Sequence, residues 1–208
     1  MSTSIAIDQG AALAASTDRL LAEFADRLEP DTISRFLQHS YDELSTPARF
    51  GHHLPLLAER FARQRLTALA RIEGEHSMPI VLFLCAHNSG RSQMAMGFLA
   101  RHASTQAVGW SGGSHPAETI NPAVVAAMAE RAVDISAEYP KPWTDEVLRA
   151  ADAVVTMGCG DACPIISGKT YEEWDLTDPE GLTVEEIRPI RDEIERRVLT
   201  LLARLTAP

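Results

Sequence analysis

A cysteine and an arginine stand six positions apart in Cys85-Ala86-His87-Asn88-Ser89-Gly90-Arg91-Ser92. The preceding run, Ile80-Val81-Leu82-Phe83-Leu84, is uniformly apolar and reads as a short strand buried on both faces. Beyond it, Met94, Phe98 and Leu99 share one face of a helical pattern. A strand, a small polar loop and a helix start together form a cradle for an anion, because free backbone N–H groups and the helix dipole converge there. The amides of Ala86, His87, Asn88, Ser89 and Gly90 would line that cradle. The planar fork of Arg91 suits two oxygens of a tetrahedral oxyanion. The same positive field favours the thiolate of Cys85, the form that acts as a nucleophile. Spacing alone would equally suit a buried strand-end cysteine with a surface arginine; the loop and the helix start carry the argument.

Two more cysteines follow a second apolar strand. Ala153-Val154-Val155-Thr156-Met157 leads into Gly158-Cys159-Gly160-Asp161-Ala162-Cys163-Pro164. Parallel strands end on one sheet edge, so this glycine-rich loop is expected to approach Cys85. Redox work by Cys159 and Cys163 is the favoured reading. A zinc pair is its rival, but no second ligand pair of the right kind appears. Asp178-Pro179 is expected on the same edge, where a carboxyl group could protonate a leaving oxygen. Asp-Pro is also an ordinary turn signal, and Asp175 competes for the role.

The elements that must position these groups alternate. After the first strand and helix, Ala107 to Ser111 reads as a strand and Pro122 to Ala132 as a helix. Thr144 to Ala150 reads as a helix and Tyr171 to Leu176 as a last short strand. A capping box, Thr183-x-x-Glu186, opens a long helix in which Pro189 is expected to cause a kink or a later start. The expected fold is α/β, a doubly wound parallel four-stranded sheet with its ligand site at the carboxyl ends of the strands. Three amphipathic helices before it read as a small bundle over residues 1–75, leaving 76–208 as the catalytic domain. In the bundle, residues up to about Leu13 are expected to fray, and Pro30-Asp31 to stop one helix and cap the next. His39, His52 and His53 lack the spacing of a metal site.

The 208 residues carry a net charge of −10 with 45% hydrophobic content, so no global field draws nucleic acid or an anionic membrane. The bundle itself holds eight arginines against eleven acids, which indicates no nucleic-acid face. No apolar run is long enough for a bilayer, and no basic segment opens the chain as a secretory signal. A cytoplasmic protein with its three cysteines reduced at rest is expected.

With these residues assembled, the region from about Pro79 to Leu205 resembles the low-molecular-weight tyrosine phosphatase fold family, and within it the thioredoxin-coupled arsenate reductases. The resemblance rests on Cys85 through Ala95, on Asn121-Pro122 to Val133-Asp134-Ile135-Ser136, on the Ala153–Met157 strand with its cysteines, and on Trp174 through Asp178-Pro179. It implies a relay. Cys85 attacks arsenate held by the loop amides and Arg91, Ser92 helps hold the thiolate, and Asp178 protonates the departing oxygen. Cys159 then releases arsenite, and Cys163 resolves the disulfide for thioredoxin to reduce. Arsenate is the implied substrate, with phosphate or sulfate as mimics. No bound cofactor or metal is implied.

Two departures bear on this. Only three residues separate Cys159 from Cys163, closer than is usual in the family. Met96 stands where the family often carries a glutamate that helps bind potassium, although Asn88, Ser111 and Asp134 match other ligand positions. The rivals are a phosphatase, a mycothiol- or glutathione-dependent reductase, and a non-catalytic oxyanion sensor. Glu180 after the Asp-Pro pair and Gln93 after Arg-Ser favour a reductase over a phosphatase. The Cys159/Cys163 pair counts against a small-thiol enzyme.

Overall fold

The computed structural model describes residues 2–45, 53–74, 78–103, 105–158, 166 and 169–206, with side chains from residue 9 onward. In chain order the elements are α1 (Ser2–Phe24), α2 (Pro30–Ser45), α3 (Leu54–Ile72), β1 (Ile80–Cys85), α4 (Arg91–Ala103), β2 (Val108–Gly113), α5 (Pro122–Ala129), α6 (Asp145–Ala150), β3 (Ala153–Met157), β4 (Thr170–Glu173) and α7 (Val184–Leu205). They fall into two compact units, Met1–Glu75 and His76–Pro208.

In the first unit, Leu20, Phe24, Ile33, Leu37, Ala58, Ala62 and Leu66 pack as one core. The helical stripes therefore did face inward. The expected fraying before Leu13 is not observed: α1 starts at Ser2. Alanine-rich sequence favours helix, Leu13 packs on the core, and Gln9 accepts a hydrogen bond from Tyr41 Oη at 3.1 Å. Pro30 occupies the first position of α2, where its missing N–H costs nothing, so Asp31 lies inside the first turn rather than capping it. Two arginines converge on a buried acid. Glu59 accepts from Arg19 Nη2 at 2.6 Å and from Arg63 Nη2 at 2.8 Å. His39 meets Arg65 rather than a metal, its Nδ1 lying 3.0 Å from Arg65 Nη1. His52 lies outside the described residues.

The second unit is a four-stranded, all-parallel sheet in the order β2-β1-β3-β4. Every residue of the central strand β1 is buried, as its unbroken apolar run requires. Val81, Phe83 and Cys85 face one cluster built with α4, α5 and α7, including Met94, Phe98, Val124, Met128, Ile187 and Ile194. Leu82 and Leu84 alternate to the opposite face. There α6 meets β1, with Val147 and Leu148 buried outside that cluster.

Boundaries differ from the sequence reading in several places, β2 among them, which runs to Gly113 rather than ending at Ser111. β4 covers Thr170–Glu173 only, as a half-exposed edge strand. α5 ends at Ala129, and Ala132 sits in the left-handed region at φ 54°, which no helix accommodates. α7 runs continuously from its capping box, so Pro189 does not delay its start. One backbone bond near the helix entry is lost there, while Ile187, Ile190 and Ile194 remain buried.

Candidate active site

Cys85 ends β1 and is only 2% exposed, paired in register with Gly113 of β2 and Met157 of β3. The loop after it is bent so that its carbonyl oxygens are consumed by the protein. Cys85 O accepts from Ser114 N, Ala86 O from His115 N, His87 O from Ala117 N and Ser89 O from Asn121 N, at 2.8 to 3.3 Å. Asn88 O accepts from Gln93 Nε2 at 3.1 Å, and Gly90 O from Met94 N at 3.0 Å. Segment 114–121 thus forms an outer layer that fixes the loop. Among the described residues, the N–H groups of His87, Ser89, Gly90, Arg91 and Ser92 meet no protein acceptor. Together with the start of α4 they leave a ring of unengaged amides, whereas the Asn88 N–H, also expected among them from the sequence, turns to Cys85 Sγ.

Asn88 holds the loop open from within. It takes φ 48°, a conformation that asparagine tolerates better than most residues. Its backbone N–H donates to Cys85 Sγ at 3.2 Å, and its Nδ2 donates to Ser92 Oγ at 2.9 Å. Ser92 Oγ lies 3.0 Å from Cys85 Sγ. The Asn88 N–H thus donates to the sulfur, and the Ser92 hydroxyl lies within hydrogen-bond reach of it.

Arg91 and Asp178 meet across the mouth. Arg91 Nη2 donates to Asp178 Oδ2 at 2.5 Å, and Nη1 to Leu176 O at 3.2 Å. Both Asp175 and Asp178 are exposed, but it is Asp178 that meets Arg91 of the cysteine loop. Its loop is seated from three directions. Asn121 caps α5 by accepting from Ala123 N, and its Nδ2 donates to Pro179 O at 3.1 Å. Glu180 N closes a turn onto Asp178 Oδ1 at 3.1 Å. Gly90 lets Pro179 come so close that a Cβ at residue 90 would stand 2.5 Å from Pro179 Cγ. The Asn121–Pro179 bond joins residues 58 positions apart and had no signal in the sequence.

A cleft of about 410 Å³ opens beside this centre, lined by His87, Ser89, Thr119, Asn121, Asp178 and Glu180 among others. His87 Nδ1 and Glu180 Oε2 face each other across its rim at 3.3 Å. Cys159 and Cys163 lie outside the described residues. The residue before them, Gly158, takes φ +71°, and a Cβ there would stand 2.9 Å from Arg91 Nη1. The described part of β3 therefore delivers the chain to the arginine of the cradle.

The residues present do not form the potassium site that the family often carries. Asn88 Oδ1 already accepts from Lys141 N at 3.0 Å, and Ser111 Oγ accepts from Lys141 Nζ at 3.4 Å. Met96 offers no oxygen. Asp134 is exposed, and hydrogen bonds from the Ser136 side chain and backbone hold its carboxyl below the usual range. Among the described residues no group of three His, Cys, Asp or Glu could hold a metal ion. Nor is any described helix long and apolar enough to cross a membrane.

Comparison with known proteins follows this geometry. Residues 80–208 match the family described as low molecular weight phosphotyrosine protein phosphatase, and residues 13–70 match a protein-tyrosine-phosphatase-like N-terminal domain. A solved structure, the thioredoxin-dependent arsenate reductase of Corynebacterium glutamicum, is 41% identical with a TM-score of 0.82, covering 93% of this chain and 95% of that one. A putative arsenate reductase of Halobacterium salinarum is 36% identical over 124 residues, 57% of this chain and 87% of that protein. A glutaredoxin arsenate reductase of Synechocystis is 31% identical over 132 residues, 62% of this chain and 100% of that protein.

Proposed function

Because this chain belongs to the low molecular weight phosphotyrosine protein phosphatase family, we propose that it is an arsenate reductase whose chemistry starts at Cys85 and ends with thioredoxin. The observation that carries the reading is the loop itself. Its carbonyls are turned away, the amides of His87, Ser89, Gly90, Arg91 and Ser92 are unengaged, and a buried cysteine sits among them with Arg91 at the rim.

The steps follow from the atoms. Arsenate exchanges the Arg91–Asp178 contact for its own oxygens, so the arginine grips the substrate and the carboxyl is released to act as an acid. The Cys85 thiolate, held by Asn88 N–H and Ser92, attacks arsenic and forms an S–As bond. One arsenate oxygen leaves as water, with a proton supplied through Asp178. Cys159 thiolate then attacks Cys85 Sγ. An S–S bond forms, the S–As pair stays on arsenic, and arsenite departs with arsenic reduced from As(V) to As(III). Cys163 attacks Cys159, frees Cys85 and leaves a Cys159–Cys163 disulfide, which the thioredoxin dithiol reduces by exchange. Gly158 against Arg91 supports this order, since the chain reaches Cys159 directly from the cradle. Residues 1–75 form a separate domain in this reading, and the reducing relay places the protein in the cytoplasm.

The test is arsenate-dependent NADPH oxidation with thioredoxin and thioredoxin reductase. Steady turnover is expected for the wild type, and one turnover or less for Cys163→Ser. Turnover with glutaredoxin or mycothiol alone, unaffected by Cys163→Ser, would replace the relay by a small-thiol mechanism. Hydrolysis of p-nitrophenyl phosphate without arsenate turnover would make the same centre a phosphatase.

A further inference from the structure

The mechanism leaves one buried charged side chain beside the loop unused. Lys141 is 4% exposed, and its Nζ lies 4.9 Å from the ring centroid of Tyr139, itself 4% exposed. Removing an ammonium from water is costly, so a lysine held in such a place needs partners that offset the cost. Here the ammonium meets β2, and the backbone of the same residue meets the anion loop. The ammonium donates to Ser111 Oγ at 3.4 Å, and the backbone N–H of the same residue donates to Asn88 Oδ1 at 3.0 Å. Lys141 O in turn accepts from Gly113 N at 3.0 Å, next to the end of β2 that pairs with Cys85. Asn88 passes the support onward to Ser92 and to the Cys85 sulfur.

The geometry points to Lys141 as a positioning residue whose tethered ammonium takes the place of a free monovalent cation beside the oxyanion loop. Two oxygens that would serve potassium, Asn88 Oδ1 and Ser111 Oγ, are held by the backbone and side chain of this one residue, and Met96 supplies no carboxylate to recruit a second cation. A cation built into the chain gives up no translational freedom on binding and cannot be depleted. It also adds a fixed positive charge to a site that must hold an oxyanion and a thiolate.

The experiment measures inorganic phosphate affinity and, separately, the melting temperature without phosphate. Both are read in potassium chloride and in tetramethylammonium chloride at equal ionic strength. The wild type is expected to show the same affinity, within about twofold, and the same melting temperature in both salts. Lys141→Ala should bind phosphate about tenfold more weakly in tetramethylammonium, about 1.4 kcal/mol, and recover most of that loss in potassium or ethylammonium chloride. Should Lys141→Ala fail to fold, Lys141→Met keeps the aliphatic stem and is read the same way. A wild type that gains severalfold affinity, or melts several degrees higher, in potassium overturns the proposal. So does a folded variant whose phosphate affinity is unchanged, or whose loss no cation restores. The melting arm does not depend on oxyanion binding, so failure of the loop reading would show separately, as a wild type that binds no phosphate.

Discussion

In the proposed mechanism, replacing Gly90 by alanine separates substrate binding from acid catalysis, because Gly90 would serve both through different atoms. Its N–H belongs to the cradle and survives the change. Its missing Cβ is what lets Pro179 close in. The new methyl would stand 2.5 Å from Pro179 Cγ, about 0.9 Å short of ordinary contact at 3.4 Å. Gly90 is not among the positive-φ residues, so alanine brings no backbone strain of its own. The proline ring is rigid and must carry its backbone with it, displacing the adjoining Asp178 by a similar distance. Misplacing a catalytic group by about 1 Å costs up to about a hundredfold, and a general acid contributes about 10² to 10⁴ in all. Arsenate-dependent oxidation of protein thiols, followed in a single turnover by rapid quench without thioredoxin, should therefore slow by about thirtyfold, about 2 kcal/mol. Phosphate affinity should stay within about threefold of the wild type. Adding Asp178→Asn should cost little more, since both changes remove the same proton donor. A single-turnover rate within threefold of wild type would refute the coupling of Gly90 to Asp178. A fully multiplicative loss in the double variant would refute it equally.

Two further outcomes are expected. Ser92→Ala removes the hydroxyl 3.0 Å from Cys85 Sγ, and alkylation of Cys85 by iodoacetamide at neutral pH should slow about tenfold. Equal rates would show that Ser92 does not hold the thiolate. Burial pushes the Glu59 carboxyl up, but hydrogen bonds from Arg19, Arg63 and Ser16 outweigh it and hold the group at about 2, against an ordinary 4.5. Its stabilisation is therefore fully present above pH 4.5 and is lost as pH falls towards 2. Glu59→Gln should cost about 1 kcal/mol at neutral pH, because the half-exposed Arg19 and Arg63 lose a shared partner while Arg63 keeps Glu23, and circular dichroism should show a flatter acid limb between those pH values. An acid limb identical to wild type would exclude Glu59 as its cause.

The amino-acid sequence by itself determined the parts whose physics is local. Five apolar residues before Cys85 can only be a strand covered on both faces, and β1 is buried throughout. Small polar residues followed by Arg91-Ser92 read as a loop opening a helix, and α4 begins at Arg91. The capping box at Thr183 and Glu186 is a contact between near neighbours, and it forms as read. Local signals failed where tertiary packing decides the outcome. The alanine-rich start joined α1 where fraying was expected, aided by Leu13 on the core and by Tyr41 reaching Gln9.

What only the tertiary structure decided is how distant residues meet at the strand ends. Asp175 competes with Asp178 in the sequence; the Asn121–Pro179 bond and the Arg91 contact seat Asp178 at the cysteine loop. Gly158 is one glycine among twelve until its φ of +71° and its place beside Arg91 show why a glycine stands there. Lys141 reads as an ordinary surface residue between two prolines, yet the return of its segment past β2 buries it against Asn88 and Ser111. Each of these contacts spans tens of residues, and its free energy exists only once the sheet has closed the distance.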